Sequence, residues 1–187
     1  MPVDTDREGL WDFSVRSYSG PGVATACLSL QEELGTDVSM LMFCCWAAAR
    51  RGPLDGGLIS QACEFSAAWA DAVVLPLRSA RTWMKSTGNP AHAVDSDAYS
   101  RLRCQIKDTE LLSEKLQLQT LESLLAGQQP RDGENEDLPV DTAANLAQYA
   151  TISGIKIGRD AQQKLLILVS SAFPVCDKKL IEQALLS

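Results

Sequence analysis

The chain has 187 residues, 45% of them apolar and 22% charged, and carries a formal net charge of −7. A chain this long can hide roughly 70% of the surface it exposes when unfolded, so it can build a full core. The acidic balance argues against broad binding to nucleic acid, whose phosphates repel it. The opening stretch, Met1 to Phe13, lacks the apolar run of a signal peptide.

Met1 to Arg7 read as a frayed end. A short amphipathic helix follows from Glu8, with Leu10, Trp11, Val15 and Tyr18 on one face, and Gly20-Pro21-Gly22 stops it. The second helix, Val23 to Leu34, has Val23, Cys27, Leu30 and Leu34 at helical spacing and Gly35 as its C-cap. Asp37 is a good N-cap for the third, since its carboxylate can accept bonds from orphan amides. From Val38 to Arg51 this helix is apolar on nearly all sides, the pattern of the central helix of a bundle. Arg50 and Arg51 suit the negative end of its dipole.

A loop from Gly52 to Gly57 leads into a fourth helix, from about Leu58, carrying Ile59, Cys63, Trp69 and Val73. Pro76 either kinks it or opens a new helix, and the pattern resumes to Lys85. After a connector, Ser86 to Asp95, a helix of about 30 residues runs to Ala126. Tyr99, Leu102, Ile106, Leu112, Leu116, Leu121 and Leu125 form its apolar stripe. Gly127 to Pro139 is acidic, rich in breakers, and reads as a flexible linker. Three short helices close the chain: one capped by Asp141 or Thr142 and running to Ser153, one from Arg159 to Phe173, and one capped by Asp177. Ile152 to Ile157 is the only stretch with any strand character, and it has no partner. The expected fold is an all-α helical bundle with a long amphipathic helix and a C-terminal group of three short helices. Its expected organisation is a helical domain over residues 8–126, a linker over 127–139 and a C-terminal helical segment over 140–187.

The longest apolar run, Val38 to Ala49, is shorter than the roughly 20 residues a bilayer requires, so the expectation is a soluble cytoplasmic protein without membrane contact. Six cysteines without a CxxC pair, beside one histidine, give neither a disulfide framework nor a zinc site. Cys44 and Cys45 read as buried reduced thiols.

Several stretches form an ordered series: Trp11-Asp12-Phe13-Ser14 with Tyr18; Gly22-Val23, Ala26-Cys27-Leu28 and Leu30-Gln31; Gly35, Asp37-Val38 and Leu41 through Trp46. The series ends with Trp69, Val73-Val74, Pro76-Leu77-Arg78, Arg81 and Lys85. It resembles a bacterial family known as domain of unknown function 2390, over the span Leu10 to Leu125. The resemblance implies a small, mainly helical cytoplasmic protein and attaches no activity. The residues after Gly127 carry no such resemblance.

The sharpest candidate site is a basic edge. Arg78, Arg81 and Lys85 stand at i, i+3 and i+7 on one helix face, and a guanidinium fork suits carboxylate or phosphate. They could hold an anion or an acidic partner. The blander alternative is a solvated face, or pairing with Asp12, Glu64, Asp71 or the acidic linker. Trp11, Trp46 and Trp69 are pocket candidates, although tryptophans in a small helical domain more often fill its core. His92 lies in a connector with no nucleophile placed beside it. Glu32-Glu33 lacks the Glu-x-x-His pattern of a di-iron bundle, and no glycine-rich phosphate loop occurs. A helix-turn-helix over Leu58 to Lys85 lacks its glycine turn and has few readers. No metal or cofactor is expected.

These residues lead to a non-catalytic helical protein serving protein interaction or regulation. It would offer the Arg78, Arg81, Lys85 face, or the long helix, to a protein partner, and that helix could also pair two copies of the chain. The alternative is an enzyme or small-ligand binder with a Trp-lined pocket and an arginine anion site.

Overall fold

The computed structural model describes residues 8–87, 96–127 and 137–186. Among them every regular element is helical: α1 (Leu10–Tyr18), α2 (Val23–Leu34), α3 (Val38–Arg51), α4 (Gly56–Trp69), a π-turn (Ala70–Val74), α5 (Leu75–Thr87), α6 (Ser96–Ser123), α7 (Leu138–Ile152), α8 (Arg159–Ala172) and α9 (Lys178–Leu186). The protein is all-α with one long helix.

α3 is the hub. Met40 through Ala48 are buried without interruption because α1, α4, α6 and α7 surround the helix. Its start is set by Asp37, whose Oδ1 accepts the Ser39 amide at 2.8 Å. Before it, α2 ends at Gly35, where φ is +68°, a left-handed conformation that glycine adopts without Cβ strain.

The C-terminal helices complete this core. Leu146 and Tyr149 of α7, Leu165, Leu168 and Val169 of α8, and Ile181 of α9 belong to the same apolar cluster as Leu10, Phe43 and Leu121. Asn145, wholly buried, ties α7 to the end of α3. Its Nδ2 donates to the carbonyls of Cys44 (3.2 Å) and Gly52 (3.3 Å), and its Oδ1 accepts the Leu54 amide at 2.8 Å. α7 starts at Leu138, inside the span read as linker, because Leu138 and Pro139 are buried and proline fits a first turn. Thr142 is therefore no cap: its hydroxyl donates back to the Leu138 carbonyl at 2.7 Å. The stretch from Ile152 to Ile157 is a helix end and turn rather than a strand, closed by the Ile155 amide donating to the Ala150 carbonyl.

α4, the π-turn and α5 form one continuous helix across Pro76. The Leu75 amide reaches back five residues to the Ala70 carbonyl. A proline ring clashes with the carbonyl four residues earlier, and the wider turn just before Pro76 relieves that clash without breaking the helix. Among the described residues this helix, Gly56–Thr87, alone is long and apolar enough to cross a bilayer by length and composition. The sequence reading did not anticipate it, because Pro76 appears to divide the run. Core helices of water-soluble proteins meet the same test, so it assigns no membrane. α5 and α6 pack side by side as a pair.

Candidate functional site

The described residues form a half-open cleft of about 1140 Å³. α1, α2, the start of α3, α4 with the π-turn, α5, α6 and the end of α7 all contribute to it. Its walls are apolar: Trp11, Val15 and Tyr18 from α1, Leu28 from α2, Leu75 from α5, Leu111 from α6 and Ile152 from α7. Many of the exposed large apolar side chains converge here, with Val15 and Leu111 each 51% exposed and Leu28 49%. α1 thus has two apolar faces. Leu10 and Phe13 enter the core, whereas Trp11, Val15 and Tyr18, one helical turn apart, face the cleft.

The floor is a closed polar knot. Asp37 Oδ2 accepts the Ser66 hydroxyl at 2.6 Å and Gln117 Nε2 at 3.2 Å. Gln117 Nε2 also donates to Ser66 Oγ at 2.7 Å, and its Oε1 accepts the Ser39 hydroxyl at 3.3 Å. The Asp37 amide donates to Tyr149 Oη at 2.8 Å. Burial pushes the Tyr149 phenol well above its ordinary range, so it stays protonated. These contacts fasten α3, α4, α6 and α7 at one point. Ser66 donates its hydroxyl hydrogen to the Asp37 carboxylate here.

One wall carries a ladder of two arginines and two glutamates. Arg78 Nε donates to Glu110 Oε1 at 3.0 Å, and Arg78 Nη2 donates to Glu114 Oε1 at 2.6 Å. Arg81 donates to both oxygens of Glu110, Nε to Oε2 and Nη2 to Oε1. The two glutamates differ in environment. At Glu110 burial opposes the charge, but the bonds from Arg81 and Arg78 outweigh it and hold the carboxyl below its usual range. At Glu114, which lines the cleft, burial outweighs Arg78 and raises the carboxyl above its usual range. Tyr18, on the same wall, is raised by burial and then by the charges of Cys27 and Glu114.

Two of the three cations of the basic edge are thus engaged in pairs. Arg78 and Arg81 are half-buried against α6 and pair there with Glu110 and Glu114 rather than with Asp12, Glu64 or Asp71; Lys85 is exposed further along α5. Of the tryptophans, Trp11 lines the cleft with the Lys115 ammonium 5.5 Å from its ring centroid. Trp46 is buried, and its Nε1 donates to the Glu8 carbonyl at 2.9 Å. Trp69 donates to the Ser113 carbonyl at 3.1 Å and stacks on Phe65. Neither Trp46 nor Trp69 lines the cleft. No disulfide joins the described cysteines, and burial pushes Cys44 and Cys45 far up and Cys27 to about 11. Among the described residues no three metal-ligating side chains of the His, Cys, Asp and Glu types gather. His92 lies outside the described residues, as do most of the connector before α6 and most of the acidic stretch after Gly127.

On α6, Leu102, Leu112 and Leu116 of the expected stripe are exposed, and Glu110, Ser113 and Gln117 are buried in their place. Sequence reasoning therefore missed Glu110, Glu114, Gln117, Ser66 and Tyr149. One signal was available: Arg78 and Arg81 on α5 and Glu110 and Glu114 on α6 have helical spacings that match when the two helices pair.

The architecture defines a helical protein with an open apolar cleft over a polar floor. The chain belongs to the family Protein of unknown function (DUF2390), whose model matches residues 9–121, and so α1 through most of α6. The matched span holds every cleft wall except the end of α7. No curated protein and no solved structure matches the chain.

Proposed function

We propose that this protein is a binding module that works through the cleft, receiving an apolar part of another molecule. One observation carries this reading: large apolar side chains that a monomer would ordinarily bury converge, exposed, around a single concavity. The reading keeps the interaction role expected from the sequence and moves its surface. The guanidiniums of Arg78 and Arg81 are already engaged by two carboxylates, so an incoming anion would have to displace Glu110 or Glu114. The polar knot, the Arg–Glu ladder and the Asn145 tie supply the rigid frame that a preformed site requires. A cytoplasmic location fits this role.

The test is binding of the neutral apolar dye Nile red, followed by its fluorescence. The double variant Val15→Glu/Leu111→Glu places charge on two exposed cleft walls without touching the core. It should abolish most of the signal while retaining the wild-type circular dichroism. A control, Leu180→Glu on exposed α9, should leave the signal intact. Equal signals from the wild type and the cleft variant would remove the cleft as the site.

A further inference from the structure

The size, backbone and charge of the cleft together narrow what it can take. At about 1140 Å³ and open on one side, it exceeds the roughly 300–1,000 Å³ of sites that enclose small molecules. Its walls are mostly helices, whose interior backbone amides and carbonyls are satisfied within the helix, and no sheet edge occurs among the described residues. An extended peptide would therefore find no ladder for its own backbone. A helix brings its backbone bonds with it and needs only a groove for one apolar face.

The charge is equally selective. The lining contains four carboxylates, Asp37, Glu64, Asp71 and Glu114, against the single guanidinium of Arg78, which Glu110 and Glu114 already neutralise. Asp37 is engaged in the floor. Glu64 and Asp71 are exposed and line the cleft seven residues, or about two turns, apart along the continuous α4–π-turn wall. Glu64 accepts the Ser60 hydroxyl at 3.5 Å, and among the described residues no cation pairs with it. The whole chain, at −7, adds to the same field.

We propose that the occupant is an amphipathic, basic helix of a partner protein. Its apolar face would seat on Trp11, Val15, Leu28, Leu75, Leu111 and Ile152, and lysines or arginines on its flank would meet Glu64 and Asp71. This rests on the reading of the cleft as a binding site and adds the secondary structure and charge of the ligand. Lys115, held over Trp11, disfavours a second basic cluster at the α1–α6 end, so the positive charges of the partner belong on the α4 side.

The experiment is selection of a phage-displayed library of helical peptides on the full chain, with Val15→Glu/Leu111→Glu as counter-selection. Enriched peptides should carry apolar residues at i, i+3 or i+4, and i+7, and a net positive charge. A synthetic winner, followed by fluorescence anisotropy, should lose about tenfold in affinity on Glu64→Lys/Asp71→Lys, because two attractions become repulsions. Its affinity should also fall with added salt. Neutral or acidic winners, winners indifferent to Glu64→Lys/Asp71→Lys, or no enrichment would each overturn the proposal. If Nile red still binds the wild type and not the cleft variant in those cases, the binding-site reading stands and only the basic helix fails. If dye binding is also indifferent to the cleft, both fail.

Discussion

Glu110 and Glu114 lie one turn apart on α6 and share Arg78, yet replacing each with glutamine should have very unequal consequences. Glu110, with a side chain 7% exposed, accepts three hydrogen bonds from two guanidiniums. Glu110→Gln removes the charge and turns an amide donor toward guanidinium donors. Breaking a fully buried pair costs roughly 3–5 kcal/mol. Arg78 and Arg81 keep 32% and 27% of their side chains in water, which recovers part of that loss. The expected cost is about 2–3 kcal/mol, or roughly 5–10 °C in Tm for a chain of this length. Glu114 is raised by burial, so its ionised form already costs stability; Glu114→Gln keeps an oxygen for Arg78 and should change stability by less than about 0.5 kcal/mol. The pH dependence separates them further. The folded pKa of Glu110 lies below its unfolded value, so its contribution is present above that unfolded value, near 4.3, and is lost as pH falls through the folded one. The gap between wild type and Glu110→Gln should therefore narrow in acid. The folded pKa of Glu114 is raised, so its contribution is present below the unfolded value and lost as pH rises through the folded one. Urea titrations followed by circular dichroism at pH 7 and in acid would measure both. Equal losses in the two variants at pH 7, or a Glu110→Gln deficit that grows in acid, would refute this account of the ladder.

Three further substitutions probe the frame. Gly20→Ala should cost about 1–3 kcal/mol by urea midpoint, because a Cβ there would lie 2.0 Å from Ser171 Oγ, and Ser171→Ala should return part of the loss. Asn145→Leu leaves the Leu54 amide and the Gly52 carbonyl without their partner in the core; a loss of about 3 kcal/mol by the same assay is expected, and a loss under about 1 would deny the tie its role. Asp37→Ala removes both the cap of α3 and the acceptor for Ser66 and Gln117, for about 2–3 kcal/mol in thermal melts, whereas Asp37→Asn keeps the cap and should cost less than half as much.

What could be read in the sequence, and what could not, divides along a physical line. α2 ends and α3 starts where local chemistry dictates: Gly35 supplies a left-handed residue, and Asp37 caps the next amide but one. α3 was legible as the hub because a helix apolar on every face has no solvent side. α6 has the expected length and buries Leu121 and Leu125 of its expected stripe, but not Leu102, Leu112 or Leu116. Hydropathy favours burying Leu102, Leu112 and Leu116, and the fold instead buries Glu110, Ser113 and Gln117. A polar side chain enters a core when a partner waits for it, and the partners here, Arg78 and Arg81 on α5 and Ser66 and Asp37 beyond, lie 29 to 80 residues away in sequence. The same reasoning explains the basic edge. Three cations on a helix face look like an offer to an outside anion until a neighbouring helix is seen to carry carboxylates at matching spacing.

The cleft follows from these two polar commitments. Because α6 turns its glutamates to α5 and its glutamine to the floor, Leu111 is left facing the groove, opposite the second apolar face of α1. Val15 and Tyr18 turn away from the core that Leu10 and Phe13 occupy and stay exposed along the cleft, with Trp11 partly buried against the core beside them. The polar contacts that look merely structural thus decide which apolar groups remain available. A Gln117→Leu substitution puts that link to the test. It removes the contact that holds α6 to the floor, so α6 is free to rotate its leucines inward. If the cleft depends on the knot, Nile red binding should weaken while most of the helix content survives. Undiminished dye binding would mean that packing alone, and not the polar floor, keeps the cleft open.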